Sequence, residues 1–259
     1  MADMELTALE QHLLGSIRAA REEREPFHHL ELANVFPAEL YASLLDAMPS
    51  RSDYRPMSGR AKYTRTDDGG TRTKIDLFPE LLRRLPAAKR KLWRLVGRAL
   101  HSQAVLEAFR TRLAPGLERR FGPGYRDVAM FPLATLLRDV PGYTIGIHPD
   151  TRWKGITVQF YLPRDRSITH IGTVFHRRTG NDSYERARQV EFAPNSGYAF
   201  AVGSDSYHSV DTVGPEVRTR DSIILTYYVD HTLVARLSNR GKRLANFLRS
   251  EWRGLTLRA

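Results

Sequence analysis

After Gly122-Pro123-Gly124 the character of this 259-residue chain changes. Downstream lie short runs rich in β-branched and aromatic residues: MFPLATLLRD, GYTIGIH, GITVQFYLP, ITHIGTVFHRR, YAFAV and DSIILTYYV. Gly, Pro, Asn and Asp separate them, which is the pattern of strands joined by turns. Regular spacing of this kind predicts a sandwich or barrel, here a jelly roll. Upstream the period is helical. Leu6, Leu9, Leu13 and Ile17 recur on one stripe and predict a helix over 4–22, with Thr7 and Glu10 at capping-box spacing. An extended piece from Phe27 to Leu32 leads into a second helix, with Pro37 in its first turn and Leu40, Leu44 and Leu45 on its apolar side.

Residues 49–75 are polar and Gly-rich and read as a long loop, the kind that serves as a lid or binding loop. From Phe78 to about Phe109 the pattern is helical again, with Pro86 as a start and Trp93, Leu92, Val96 and Leu100 on one face. A further helix is expected over 103–121, and the tail from Leu233 to Trp252 reads as a basic helix. The expected class is α+β with a mostly β core. One domain is expected over 1–259: a helical part about 1–125, a jelly roll (double-stranded β-helix) about 126–230 and a C-terminal helix about 231–259.

The chain has no cysteine, so thiolate zinc sites, Fe–S clusters and disulfides are excluded. Any metal must use His, Asp and Glu. Forty Lys and Arg against 29 Asp and Glu give a net charge of +11. The basic residues concentrate at 83–98, 110–126 and 236–258, with no RNA-binding signature, zinc finger or basic helix interleaved with aromatics. A solvated basic surface is the expectation, with no nucleic-acid and no membrane partner. The N-terminus lacks a signal-peptide core and no apolar run approaches a membrane span, so a cytoplasmic protein is expected.

The chemistry concentrates around His148-Pro149-Asp150, an H-x-D triplet between two β-rich runs. An imidazole and a carboxylate two residues apart can both face one cavity from a strand end. His208, 58 residues beyond Asp150, is the best third ligand. Two His and one carboxylate on one face of a metal leave the opposite face open, as in non-haem Fe(II) oxygenases. His170 and His176 form a rival pair that spacing alone leaves in play. In VRTRDSIILTYYV, Arg220 and Ser222 share one face of a strand, followed by Ile224 and Thr226. An arginine in a buried strand needs an anion. The anion is either a ligand carboxylate held by the guanidinium fork or an acidic side chain.

The order H-x-D, distal His, R-x-S resembles the Fe(II)/2-oxoglutarate-dependent dioxygenase superfamily, within it the prolyl-hydroxylase-like branch. The Gly142-Tyr143 turn before the triplet and Thr157-Val158-Gln159-Phe160-Tyr161-Leu162 after it fit that branch, and the match covers roughly 130–230. The resemblance implies that His148, Asp150 and His208 bind Fe(II), with 2-oxoglutarate and dioxygen as co-substrates. It implies that Arg220 with Ser222 grips the distal carboxylate of 2-oxoglutarate, that Tyr161 adds a hydroxyl, and that Arg138 stands near the co-substrate's other end. The family arginine usually follows the distal histidine by nine or ten residues; Arg218 stands at ten and Arg220 at twelve, and the R-x-S pattern favours Arg220. Asp150 favours hydroxylation over halogenation, since the halogenases lack that carboxylate. A small-molecule substrate is expected; a peptidyl hydroxylase and a non-catalytic cupin-like binding protein are the alternatives. A nucleic-acid dealkylase would need an Asn between two Arg on the last strand, and that strand has no Asn.

Overall fold

A computed structural model describes residues 2–57 and 70–229. The helices are α1 (Ala2–Ala19), α2 (Ala38–Asp46), α3 (Ala87–Leu100), α4 (Gln103–Arg112) and α5 (Ala114–Phe121). The strands are β1 (Arg21–Glu23), β2 (His29–Ala33), β3 (Arg55–Pro56), β4 (Arg72–Asp76), β5 (Met130–Asp139), β6 (Ile145–His148), β7 (Lys154–Tyr161), β8 (Thr173–Gly180), β9 (Ser183–Val190), β10 (Ser196–Ala201), β11 (Tyr207–Val210) and β12 (Arg220–Val229). They form an eight-stranded sheet, β1-β2-β10-β7-β12-β5-β4-β3, and a four-stranded sheet, β6-β11-β8-β9. The strand pairs are antiparallel throughout.

The period-2 alternation of the strands divides the interior in two. On one face of the large sheet, Leu136, Phe160, Ile223, Leu225 and Tyr227 join Leu9, Leu13 and Ile17 of α1, Trp93 and Val96 of α3, and Phe109 of α4 in one apolar core. On the other face Tyr161, Tyr198 and Phe200 pack with Phe175, Val190 and Val210 of the small sheet. The α+β expectation therefore holds at the level of two antiparallel sheets with helices packed on one of them.

Three expectations change. The segment 103–121 is two helices, not one, because Pro115 has no N–H to donate and its ring cannot sit inside a continuous helix; it occupies the first turn of α5 instead. Within 78–109 the helix starts only after Pro86, and Ser102 caps α4 by accepting from the Val105 N–H. The polar stretch 49–75 is not all loop: Arg72–Asp76 pairs with β5 along five residues. Its composition hid the strand because Arg72, Lys74 and Asp76 satisfy their charges in ion pairs rather than in water. Residues 58–69 and the tail from Leu233 to Trp252 lie outside the described residues. No helix among the described residues is long and apolar enough to cross a membrane.

Candidate metal centre and anion site

β6 ends at His148, and β11 lies antiparallel beside it with His208 as the register partner of His148. The two imidazole centroids are 4.4 Å apart. Asp150 follows on the first residues beyond the strand. One ligand atom from each of His148, Asp150 and His208 lies within 4.8 Å of the others. The rival histidines are elsewhere: His170 is paired with Glu216 at 3.5 Å, and His176 Nε2 is bonded to Ser209 Oγ at 2.8 Å.

Protonation of the three groups suits a cation. His148 Nδ1–H donates to the Gly146 carbonyl (2.8 Å) and His208 Nδ1–H to the Ser206 carbonyl (3.0 Å). A carbonyl can only accept, so a proton sits on each Nδ1 and Nε2 is the ring atom turned toward the other ligands. Burial pushes His208 down to about 4, Asp150 opposing, so its imidazole is neutral at neutral pH. Burial would raise Asp150, but the Lys154 ammonium, His208 and the Thr157 hydroxyl hold it at about 2. Lys154 Nζ donates to Oδ1 at 2.5 Å and Thr157 Oγ1 to Oδ2 at 2.6 Å. Two imidazoles that turn Nε2 inward and one oriented carboxylate, on converging atoms, fit a divalent metal.

Arg220, at the start of β12, is fully buried, whereas Arg218 is exposed before the strand begins. Arg220 Nε donates to the Ile171 carbonyl (2.8 Å) and Nη1 to Asp139 Oδ2 (3.0 Å), while Nη2 has no hydrogen-bond partner. Asp139 is held on its other side by Arg72, whose Nε and Nη2 donate to its two oxygens at 2.6 and 2.7 Å. Arg220 thus meets both expectations for a buried arginine, an acidic side chain on Nη1 and an unpartnered Nη2 that can take an anion. From Arg220's neighbourhood a chain of hydroxyls crosses between the sheets. The Tyr161 hydroxyl accepts from Thr173 N–H (3.0 Å) and donates to Thr173 Oγ1 (2.9 Å), which donates to the Tyr198 hydroxyl (3.2 Å). Tyr198 donates to Gln159 Oε1 (2.7 Å), and Gln159 Nε2 donates to Ser222 Oγ (2.8 Å). Burial raises the Tyr161 and Tyr198 hydroxyls, which stay protonated donors.

A Trichoplax adhaerens prolyl hydroxylase, solved with a hypoxia-inducible-factor oxygen-degradation-domain peptide, aligns over 87% of this chain and 91% of its own at TM-score 0.54 and 9% identity. A Phytophthora capsici prolyl 4-hydroxylase aligns over 86% of this chain and 65% of its own at TM-score 0.50 and 14% identity. The fold is shared; the sequences have diverged. A Pseudomonas putida prolyl-4-hydroxylase aligns over 85% of this chain and 98% of its own at TM-score 0.48 and 15% identity. No protein-family model matches the chain. No curated protein matches it either.

Of the residues singled out in the sequence, His148, Asp150 and His208 converge, and Arg220, Ser222 and Tyr161 face the same inter-sheet space. Arg138 is not brought to them. It neighbours Asp139 on β5, so alternation turns it to the opposite face, where it donates to Asp221 at 2.7 and 3.2 Å and lies 4.6 Å from the Tyr54 ring. Sequence reasoning missed Arg72, Asp139, Thr157, Gln159, Thr173 and Tyr198. Two signals were available: Thr157, Gln159 and Tyr161 alternate onto one face of β7, and Asp139 is an acid at the end of an apolar strand. Next in sequence to the candidate ligands, Ile147 is 41% and Trp153 52% exposed, large apolar side chains in water. Arg120 fixes the backbone there, donating to the carbonyls of Lys154 (2.5 Å), Val202 (2.6 Å) and Arg152.

Proposed function

We propose that this protein is a non-haem Fe(II)- and 2-oxoglutarate-dependent oxygenase that hydroxylates a small molecule. The observation that carries the reading is the convergence of His148, Asp150 and His208 on one point. The two sheets are read as the layers of a double-stranded β-helix within one domain. In this reading His148 and His208 bind Fe(II) through Nε2 and Asp150 through a carboxylate oxygen. Arg220 presents Nη2 to the distal carboxylate of 2-oxoglutarate, with Tyr161 and Ser222 on the same wall. When bound, iron and 2-oxoglutarate turn dioxygen into the oxidant for a substrate C–H bond, with release of succinate and CO2.

The chain's own contribution is position and electrostatics. The carbonyls of Gly146 and Ser206 set the imidazole tautomers. Lys154 and Thr157 hold Asp150 ionised and oriented. Phe200 lies 5.3 Å from the His208 ring and 5.9 Å from Phe175, walling the ligands from water on the interior side. The test is 2-oxoglutarate turnover in the presence of Fe(II) and dioxygen, followed by succinate formation over a panel of small molecules and peptides. Succinate formed with a small molecule, and lost in His208→Ala, is the expected result. Absence of any 2-oxoglutarate consumption by folded, iron-loaded protein would contradict it.

A second reading, hydroxylation of a peptide, is favoured by one observation. Ile147 and Trp153, which flank the H-x-D triplet in sequence, are exposed, and the Arg152 guanidinium lies 5.2 Å from the Trp153 ring. An extended chain laid across the rim would cover both. Ile147→Ser with Trp153→Ser would then raise KM for the active peptide severalfold with kcat little changed, and leave a small-molecule KM untouched.

A further inference from the structure

Resting on the oxygenase reading, we propose that Gln159 is a positioning residue for the co-substrate. Its amide leaves the hydroxyl chain between the sheets with one hydrogen too many beside Arg220, and so selects a carboxylate there. Gln159 and Tyr161 share one face of β7. Tyr198 of β10 is the register partner of Gln159, and Ser222 of β12 that of Tyr161. Thr173 reaches the same space from the small sheet. All five side chains are buried. The chain doubles back, since its two ends, Tyr161 and Ser222, stand opposite one another on adjacent strands. Both ends adjoin Arg220: Ser222 lies two residues along the same face of β12, and the Tyr161 ring lies 5.6 Å from the guanidinium.

The chain has four links: Tyr161 to Thr173 Oγ1, Thr173 to Tyr198, Tyr198 to Gln159, and Gln159 to Ser222. Each link uses one hydrogen. At Gln159 the amide oxygen accepts in one link and the amide nitrogen supplies the hydrogen of the other. Three links remain for the four hydroxyl hydrogens of Tyr161, Thr173, Tyr198 and Ser222, so one is left over. Nε2 faces Ser222, which puts the spare hydrogen on Ser222. Turning the amide over reverses every link and moves it to Tyr161. Either way it emerges beside Arg220, and no acceptor for it stands among the described residues. Arg220 Nη2 is likewise without a partner. Buried donors left unanswered are costly until a ligand supplies acceptors. A carboxylate offers acceptors only, whereas an amide or alcohol brings hydrogens of its own. Glutamate at 159 would close the count: it accepts on both oxygens, four hydroxyl hydrogens fill four links, and none is left for a ligand.

The experiment is anaerobic calorimetric titration of Fe(II)-loaded protein with 2-oxoglutarate and, separately, with 2-oxopentanoate, which carries a methyl group in place of the distal carboxylate. Wild type, Gln159→Glu, Gln159→Met and the double variant Gln159→Glu with Tyr198→Phe are compared, with Fe(II) affinity and thermal midpoint measured beside them. Wild type that fails to bind 2-oxoglutarate would overturn the oxygenase reading and this inference with it. Given wild-type binding, Gln159→Glu is expected to weaken 2-oxoglutarate by about tenfold or more, the scale of one charged hydrogen bond. Binding of 2-oxopentanoate and Fe(II) is expected to stay within about twofold of wild type, less than one hydrogen bond is worth. Tyr198→Phe removes two links and one hydrogen, so a hydrogen is spare again and the double variant should recover part of the loss. A double variant that binds no better than Gln159→Glu would overturn the inference, because the added charge alone would then explain the loss. So would Gln159→Glu with wild-type affinity, or a loss shared equally by 2-oxopentanoate, the signature of a merely structural residue. Should Gln159→Glu fail to fold, Gln159→Met decides. It frees the spare hydrogen from its orientation, so a loss confined to 2-oxoglutarate is expected, and no loss or a shared one would overturn the inference.

Discussion

Thr157 donates to the Asp150 oxygen at 2.6 Å from the strand that follows the H-x-D triplet. Partners of this kind typically set metal affinity by ten- to a hundredfold. Thr157→Val keeps the shape and removes the donor, so Fe(II) is expected to bind about tenfold more weakly by competitive chelator titration, with the thermal midpoint little changed. An unchanged affinity would mean that Lys154 alone orients the carboxylate. At this scale the candidate ligands could be picked out because a metal site needs fixed donor types, and His148 and Asp150 stand two residues apart where β6 ends. Arg220 was legible because a charge inside IILTYYV-like sequence stands out. Arg72 was not, because it lies among polar residues whose burial only the pairing of β4 with β5 creates. Arg138 misled for the complementary reason. Its spacing from His148 fits, but its neighbour Asp139 occupies the inward position and strand alternation sends Arg138 to the other face.

Elements succeed or fail here by what the backbone permits. β10 runs between β2 and β7, with Gly197 opposite Phe160. A Cβ on Gly197 would stand 2.2 Å from the Gln159 carbonyl oxygen, a backbone atom that cannot swing aside. Gly197→Ala should therefore cost about 1–3 kcal/mol in chemical denaturation, the range for overpacked interior sites. It should also weaken 2-oxoglutarate, since the strand it displaces carries Gln159 and, two residues on, Tyr161. A stable variant with normal affinity would place the close approach at fault. The six strand runs of the second half were read from alternation and turn residues and all six are present, whereas the polar β9 and the short β11 that carries His208 were not read. In the helical half the starts after Pro86 and at Gln103 were read, but the break at Pro115 was missed, because periodicity reports which face is apolar and does not weigh a single proline against it.

Across the whole molecule, the two sheets are tied by Arg188 of β9, the edge strand of the small sheet, which donates to Glu31 of β2 at 2.5 Å. Burial would raise Glu31, but His29, Arg188 and Arg21 hold it at about 2, below its ordinary 4.5. A carboxyl depressed in the folded state stabilises fully above its unfolded value and loses that contribution as pH falls toward the folded one. The contribution should therefore fade between about pH 5 and 2. Glu31→Gln should lower stability at pH 7 by about 1–2 kcal/mol, discounted for partial exposure, and flatten the acid limb of the melting profile. An acid limb identical to wild type would contradict the assignment. The division into a helical first half and a β second half was legible at this scale. The pairing of residues 157 apart was not, since no local pattern encodes it. Anaerobic titration of the protein with Fe(II) and 2-oxoglutarate, watching the weak visible charge-transfer band of the chelate, is the decisive experiment for the oxygenase reading. The band should form in wild type, vanish in His208→Ala and need much more 2-oxoglutarate in Arg220→Ala. Folded wild-type protein that gives no band would contradict the oxygenase assignment and leave His148, Asp150, His208 and Arg220 to serve another ligand.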